Sequence, residues 1–151
     1  MQTRRETLKQ SAVLAGLLAA AGFPRFAMAA FNKAGFDAKT VQDATKAYGA
    51  TSMAESKDVS ITAPDIAENG AVVPLGASTT LAGVKQLLIL VEKNPASLVA
   101  TFYVSDAVEA NFSTRAKMGQ SSDVYAVALM ADGKALWAKK EVKVTLGGCG
   151  G

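Results

Sequence analysis

The sequence predicts an all-β protein, an immunoglobulin-like antiparallel β-sandwich of about seven strands with a short N-terminal helix. Seven short segments between residues 59 and 146 have the apolar patterns of strands, and most of them start 10 to 14 residues apart. Residues that favour turns separate these segments, and no segment with a helical period lies between them. With 151 residues, 50% of them hydrophobic, the chain is long enough for one domain with one core.

The first 29 residues are predicted to be a cleaved export signal. Residues 3–9 are charged, residues 12–23 are apolar, and Ala27-Met28-Ala29 provides the small residues at which a signal peptidase cuts. The apolar run is shorter than the roughly 20 residues that a membrane-spanning helix needs. We therefore expect a mature protein that begins after Ala29 and has no membrane anchor.

Arg4 and Arg5 indicate the export route. The segment from Thr3 to Lys9 resembles the twin-arginine signal, with Thr7 at a position where that signal usually has phenylalanine. Twin-arginine export carries proteins that are already folded, so a subunit can leave the cytoplasm assembled with a partner. An ordinary secretory signal that contains two arginines is the alternative. Either route predicts that the mature protein works in the periplasm.

Residues 30–58 are predicted to form a helix and a linker ahead of the sandwich. Apolar residues fall at helical spacing from Asp37 to Tyr48, which predicts one helix there. Asp37 is a suitable N-cap and Gly49 a suitable C-terminal stop. Residues 50–58 are small and polar and have no pattern, which is typical of a linker.

Residues 59–146 are predicted to form the sandwich domain. Turns are expected where Gly, Asn, Asp or Pro residues accumulate, and Asp132-Gly133 is a strong hairpin signal. The expected strands are Val59 to Thr62, Ala71 to Leu75, Val84 to Val91, Leu98 to Val104, Phe112 to Lys117, Asp123 to Met130 and Lys134 to Leu146.

Two of the expected strands are apolar on both faces. The last strand alternates from Lys139 to Leu146, with apolar residues on one face and charged or polar residues on the other, as expected for a strand with one face in water. By contrast, Leu87 to Val91 and Val124 to Met130 have no polar face. These strands either contact a partner protein or are central strands covered by the N-terminal helix. Trp137 is expected in the core rather than in a site.

The composition excludes several kinds of site. The chain has no histidine and only one cysteine, which excludes Ser-His and Cys-His catalytic pairs, histidine-ligated metals, haem attachment, CxxC redox centres and intramolecular disulfides. No metal or organic cofactor is expected. The net charge of +3 arises in residues 1–30, and the rest of the chain has as many acidic as basic residues. A neutral body without a basic cluster argues against nucleic-acid binding.

The chemistry concentrates in Gly147-Gly148-Cys149-Gly150-Gly151. Glycine loses the most entropy on ordering and has no side chain to bury, so residues 147–151 are expected to form a mobile arm that carries the Cys149 thiol. No cation, base or helix N-terminus that would activate the thiol is near it in the sequence. The thiol therefore needs the active site of another protein in order to react. These properties predict a substrate carrier rather than an enzyme.

Three segments carry a family resemblance: Val142 to Gly151, Ala67 to Pro74, and Asn94-Pro95. They are similar to SoxY, the sulfur-carrier subunit of the bacterial thiosulfate-oxidising Sox system, and GGCGG at this position is the most specific of them. The resemblance implies that Cys149 covalently holds thiosulfate-derived sulfur while separate enzymes load, oxidise and hydrolyse it. It also implies that four residues form the swinging arm around the cysteine: Gly147, Gly148, Gly150 and Gly151.

The resemblance further implies protein partners. SoxY pairs with SoxZ in a heterodimer of immunoglobulin-like folds, and the cytochrome, hydrolase and dehydrogenase components of the Sox system act on the carried sulfur. On the residues alone, two other functions stay open. The chain could be a secreted thiol that exchanges disulfides, although a lone cysteine has no resolving partner. It could also be a secreted immunoglobulin-like scaffold that uses Cys149 for an intermolecular disulfide.

Overall fold

The computed structural model describes residues 31–146 and, ahead of them, Val13 alone. The chain divides into two compact units, Met1–Phe31 and Asn32–Gly151. Every element given below belongs to the second unit. In the first unit, Val13 lies in a helix and is exposed.

Two of the predicted segments fall outside the described residues. These are the export signal, which contains Arg4 and Arg5, and the arm at residues 147–151. Both therefore stay predictions. Within the part of the chain that is described, no helix has the length and apolar character needed to cross a bilayer.

Two short helices, α1 (Lys33–Asp37) and α2 (Val41–Ala47), precede the strands. The prediction of a single helix that starts at Asp37 is wrong, because Asp37 is the last residue of α1. The predicted end of the helix is confirmed. Tyr48 follows α2, and Gly49 then has a φ of +96°, a left-handed conformation that suits glycine.

The chain between the two helices is held by Ser97, which is fully buried. The N–H of Ser97 donates to the Ala38 carbonyl at 3.1 Å, and its hydroxyl donates to the Thr40 carbonyl at 3.0 Å. Thr40 also caps α2, because its hydroxyl accepts a hydrogen bond from the Asp43 N–H at 3.0 Å. The two helices separate here because Ser97 binds these carbonyls and Thr40 starts a new helix.

Nine strands follow the helices and form two sheets. The strands are β1 (Ser52–Glu55), β2 (Val59–Thr62), β3 (Ile66–Ala67), β4 (Val73–Thr79), β5 (Val84–Val91), β6 (Leu98–Tyr103), β7 (Asn111–Ala116), β8 (Ser122–Met130) and β9 (Lys134–Val144). The first sheet has the order β1-β9-β8-β5-β6, with β3 also beside β9, and the second has the order β2-β4-β7. Both sheets contribute buried side chains to one apolar core, which confirms the predicted β-sandwich.

All seven predicted strands are present, and β2 and β5 have the predicted bounds. The predicted hairpin at Asp132-Gly133 is confirmed as well, since it joins β8 to β9 and Gly133 has a φ of +85°. Along β9 the predicted alternation holds for Val142, which is buried, and Val144, which is half-buried. Leu146 differs from the prediction, because it lies beyond the end of β9 and is 69% exposed.

The strands β1 and β3 are not predicted by the sequence. Both pair in parallel with β9, so the sandwich is not antiparallel throughout. The prediction of residues 50–58 as an unstructured linker is therefore wrong over β1. Most of β1 is exposed and has no alternating pattern, so its strand conformation depends on hydrogen bonds to the neighbouring strand.

The central strands β5 and β8 are covered on both faces. One face packs into the sandwich core through Leu87, Ile89, Val91, Val124, Ala126 and Ala128. The other face packs against Ala38, Val41 and Ala44 of the helical segment through Leu88, Leu90, Val127 and Leu129. Of the two explanations for these apolar strands, the structure supports coverage by the N-terminal helices. Trp137 is half-buried and packs against this face at the margin of the core, with its ring centroid 5.5 Å from that of Tyr125.

Candidate functional site

The sequence assigns the chemistry to Cys149, and the structure describes the chain that leads to it. The described residues end at Leu146, three positions before Cys149. Cys149 and the four glycines around it lie outside the described residues, so their roles stay predictions. The part of the site that the structure resolves is the junction between β9 and the predicted arm.

One edge of β9 is bonded to β8 and to Ser121, the residue that precedes β8. The two strands pair as far as Ser122 and Val142. Beyond this pair, the N–H of Val144 donates to the Ser121 hydroxyl at 2.9 Å. The side of β9 that faces β8 is therefore bonded nearly to the end of the strand.

The other edge of β9 is bound by the β2–β4 connection, residues 63–72. This connection contains β3, whose two residues pair with Lys143 and Val144. Four hydrogen bonds join the connection to the end of β9: Lys143 N–H to the Asp65 carbonyl at 3.0 Å, Thr145 N–H to the Ala67 carbonyl at 3.1 Å, Thr145 hydroxyl to the Glu68 carbonyl at 3.0 Å, and Gly70 N–H to the Leu146 carbonyl at 2.8 Å. The chain is thus held on this edge up to the last residue that the structure describes.

The turn in the β2–β4 connection is fixed by its own hydrogen bonds. The side-chain oxygen of Asn69 accepts from the Ala71 N–H at 2.8 Å, a local bond that is typical of asparagine in turns. The Gly70 carbonyl accepts from the Met118 N–H at 2.7 Å. Gly70 therefore bonds to the body through its carbonyl and to Leu146 through its N–H.

Lys140 holds the start of the connection. Its ammonium group donates to the Ala63 carbonyl at 2.7 Å and lies 2.9 Å from the Asp65 carboxylate. Because Asp65 is 86% exposed, the ion pair itself contributes little, and the bond to the backbone is the more specific contact. Lys140 is a residue of β9, so this contact also joins the connection to β9.

The surface at this junction is apolar at three positions. Ile66, Val72 and Leu146 are 58%, 57% and 69% exposed. Lys143 and Glu68 are exposed as well and have opposite charges. The described surface at the start of the arm therefore has no strong net charge of its own.

The shifted pKa values among the described residues belong to groups elsewhere in the fold. A hydrogen bond to Asp123 raises the pKa of Lys139, and burial raises the pKa of Tyr48 and Tyr125. The N–H of Lys134 lowers the pKa of Asp132 in the β8–β9 turn. Each shift follows from local pairing or burial, and none of these groups lies in the β2–β4 connection or at residues 143–146.

The described residues contain no cluster of three or more His, Cys, Asp or Glu side chains that could hold a metal ion. A groove of about 810 Å³ lies over the second sheet, with Arg115 as the charged residue in its wall. Gly76 lies in the floor of the groove between its strand neighbours Thr62 and Ser113. This groove contains no pair of groups suited to acid–base or nucleophilic catalysis.

The chain matches the family model of the sulfur oxidation protein SoxY over residues 44–149. This span is more than half of the chain and includes both the β2–β4 connection and Cys149. The chain belongs to the SoxY family. Membership confirms the resemblance that the GGCGG ending and the Ala67 to Pro74 segment indicate.

Solved structures agree with this membership. SoxY from Chlorobium limicola f thiosulfatophilum, a sulfur carrier protein, has 33% sequence identity and a TM-score of 0.64, over 71% of this chain and 97% of that chain. Superoxide reductase (neelaredoxin) from Ignicoccus hospitalis has 18% identity and a TM-score of 0.50, over 57% of this chain and 78% of that chain, which shows a shared fold alone. Among curated protein sequences, none matches this chain.

Sequence reasoning did not find the role of the β2–β4 connection. It identified Ala67 to Pro74 as similar to SoxY but assigned these residues no contact. A usable signal is the spacing between the predicted strands, because the chain between Thr62 and Ala71 is longer than a hairpin between neighbouring strands needs. Only the structure shows that the extra residues contact β9.

Proposed function

We propose that this protein is a periplasmic sulfur carrier for thiosulfate oxidation and that Cys149 is its covalent attachment site. The observation that carries the proposal is the position of the only cysteine in the chain. It lies among four glycines, three residues after Leu146, in a protein of the SoxY family. The SoxY structure from Chlorobium limicola f thiosulfatophilum, described as a sulfur carrier protein, supports the same role.

The chemistry of loading requires a partner that accepts electrons. When the Cys149 thiol and thiosulfate form a sulfur–sulfur bond, the product is an S-thiosulfonate, and one proton and two electrons are released. The cytochrome component implied by the SoxY resemblance is the acceptor of these electrons. Later hydrolysis of the adduct uses water, releases sulfate and transfers no electrons, which suits a separate hydrolase.

This chain acts as a carrier subunit rather than as the catalyst. A thiol of ordinary pKa is only a few per cent ionised near neutrality, so its reaction depends on the positive environment of a partner's active site. The four glycines permit the thiol to enter such a site because they add flexibility and no side-chain width. The proposal therefore includes no metal and no organic cofactor in this chain.

The partners follow from the family. SoxY membership implies a partnership with a SoxZ subunit, and we propose a heterodimer of the two. The cytochrome, hydrolase and dehydrogenase components then act in turn on the sulfur held by Cys149. The export signal with Arg4 and Arg5 supports a periplasmic location for this assembly.

The decisive variant is Cys149→Ser. We expect it to fold as the wild type does but to abolish thiosulfate-dependent electron delivery in a reconstituted Sox system, because serine cannot form the sulfur–sulfur bond. A matched control moves the thiol instead of removing it. The double variant Cys149→Ser, Ser60→Cys has one thiol on the exposed side of β2 and is expected to be equally inactive.

Intact mass of the protein from thiosulfate-grown cells provides a second readout. A thiosulfate or polysulfane adduct on the wild type, lost in Cys149→Ser, is the expected result. Full activity of Cys149→Ser would refute the carrier function. A wild-type chain found only as a disulfide-linked dimer would instead support the scaffold function.

A further inference from the structure

We propose that the β2–β4 connection fixes the start of the arm at Leu146, and that Thr145 is a positioning residue that limits how far Cys149 can travel. The proposal rests on the proposed function of Cys149 as the attachment site. It extends that function by naming the part of the fold that sets the length of the moving segment.

The first support is the path of the connection. β2 and β4 are antiparallel neighbours in the second sheet, and such neighbours can be joined by two to five residues. Here the chain leaves the second sheet after Thr62, pairs with β9 of the first sheet, and returns at Val73. The added length therefore forms contacts with β9, and these contacts lie at its C-terminal end.

The second support is that the end of β9 is bonded on both edges. The Ser121 hydroxyl accepts from the Val144 N–H on one side. On the other side, carbonyls of the β2–β4 connection accept from the neighbouring N–H groups of Lys143 and Thr145. The Thr145 hydroxyl adds a bond to the Glu68 carbonyl. The last bond, from the Gly70 N–H to the Leu146 carbonyl, is three residues from the thiol.

These bonds have a geometric consequence for Cys149. From Leu146, three extended residues span about 10 Å at roughly 3.4 Å each. If the connection were released, β9 would still be held at Val144 by the Ser121 hydroxyl, and five residues would lead to Cys149. Five extended residues span about 17 Å. The connection therefore shortens the distance over which the thiol can reach by about two-fifths.

A short tether benefits a carrier. Once the body has docked on a partner, the concentration of the thiol at the partner's active site falls as roughly the −3/2 power of the tether length. Lengthening the tether from three residues to five lowers this concentration roughly twofold. If the start of the arm is firmly bound, the sulfur held by Cys149 thus stays close to the entrance of the partner's active site.

Thr145→Pro tests the proposal directly. Proline removes both the N–H that donates to Ala67 and the hydroxyl that donates to Glu68, whereas the bonds to β8 are kept. A matched control is available at the other end of β9. Thr51 donates its N–H at 2.8 Å and its hydroxyl at 3.2 Å to the Gly133 carbonyl, so Thr51→Pro removes the same two kinds of bond far from the arm.

The readout is the range of positions of the thiol. One nitroxide is attached to Cys149 and a second to Ser60→Cys on β2, and their distance distribution is measured by electron spin resonance. We expect Thr145→Pro to widen the distribution about 1.3 times, as the square root of tether length requires. Thr51→Pro should leave the distribution as in the wild type.

Steady-state kinetics separate the proposed effect from a loss of overall stability. With a partner enzyme, Thr145→Pro is expected to lower kcat roughly twofold at unchanged KM for the carrier, because docking is preserved and only the search by the thiol is slower. A distance distribution as narrow as that of the wild type would overturn the proposal. This result would leave the carrier function intact, whereas an active Cys149→Ser variant would refute that function without affecting the distances.

Thr145→Val keeps the proposal testable if the proline variant does not fold. It removes only the hydroxyl bond, so we expect hydrogen exchange of the Thr145 and Gly70 amides to accelerate about fivefold. Thr51→Val is the control and should leave these two amides unchanged. Equal exchange rates in Thr145→Val and the wild type would refute a role for the Thr145 hydroxyl.

Discussion

At the scale of single residues, glycine serves different purposes at different positions of this chain. Gly49 and Gly133 adopt positive φ angles of +96° and +85°, which end α2 and form the β8–β9 turn. At Gly35 the reason is contact, since a Cβ there would overlap the Tyr48 ring. The first two are predictable from local sequence, whereas Gly35 depends on Tyr48, the residue that follows α2.

The glycines beside Cys149 lead to a prediction about turnover. Gly148→Val and Gly150→Val should each slow thiosulfate-dependent turnover while the thiol stays titratable, because a β-branched side chain stiffens the arm and widens it. Gly148→Ala, which adds one methyl group without branching, should have the smaller effect. The measurement is steady-state rate in a reconstituted system, with thiol titration alongside. Equal rates in all variants would show that these glycines have no role in transfer.

At the scale of secondary structure, the central strands determine which surfaces remain for partners. β5 and β8 have buried side chains on both faces, toward the second sheet and toward α2. The face that the sequence left open to a partner is therefore already covered. We therefore expect the proposed SoxZ subunit to bind elsewhere, and the exposed apolar residues outside the arm junction include Tyr103 and Val108.

Coverage by α2 predicts equal costs for two neighbouring substitutions. Leu87 and Leu88 are both fully buried but point to opposite faces of β5. Leu87→Ala and Leu88→Ala should each lower the free energy of unfolding by about 2–5 kcal/mol, as expected for large-to-small changes in a packed core. Val108→Ala, at a 47% exposed site, is the control and should stay within about 0.5 kcal/mol.

Urea unfolding checks this prediction. A cost for Leu88→Ala below about 1 kcal/mol would mean that the helical segment does not pack firmly on the sheet. The face of β5 and β8 would then be accessible to a partner after all.

At the scale of the whole molecule, the predicted export signal bears on how the proposed heterodimer reaches the periplasm. An apolar strand face open to a partner would favour export of an assembled pair, but the helices cover that face of β5 and β8. The argument that persists is the twin-arginine pattern at Arg4 and Arg5, since this route carries folded proteins. A folded heterodimer can then cross on one signal.

Replacing Arg4 and Arg5 by lysine tests shared export. Lysine keeps the charge but lacks the guanidinium geometry, so we expect this chain and its partner to be retained together in the cytoplasm. Arg25→Lys, outside the pair, should leave export unchanged. Cell fractionation with detection of both subunits is the measurement. If the partner still reaches the periplasm alone, co-export is wrong, and if both do, the twin-arginine assignment is wrong.

The sequence by itself determined the fold class, most strand positions, the family and the candidate attachment site. These follow from local information. Alternation and turn residues mark strands such as β2 and β5, whose bounds match the prediction, and GGCGG identifies Cys149 without reference to any other residue.

Only the tertiary structure decided what covers β5 and β8, where the first helix breaks, and what holds the start of the arm. In each case the partner is distant in the sequence: α2 covers the sheet, Ser97 binds the backbone at Ala38, and the β2–β4 connection binds β9. β1 and β3 are short, and β1 has no alternating pattern, so they become strands only because β9 supplies hydrogen bonds. Backbone pairing of this kind depends little on side-chain type, so the sequence contains almost no trace of it.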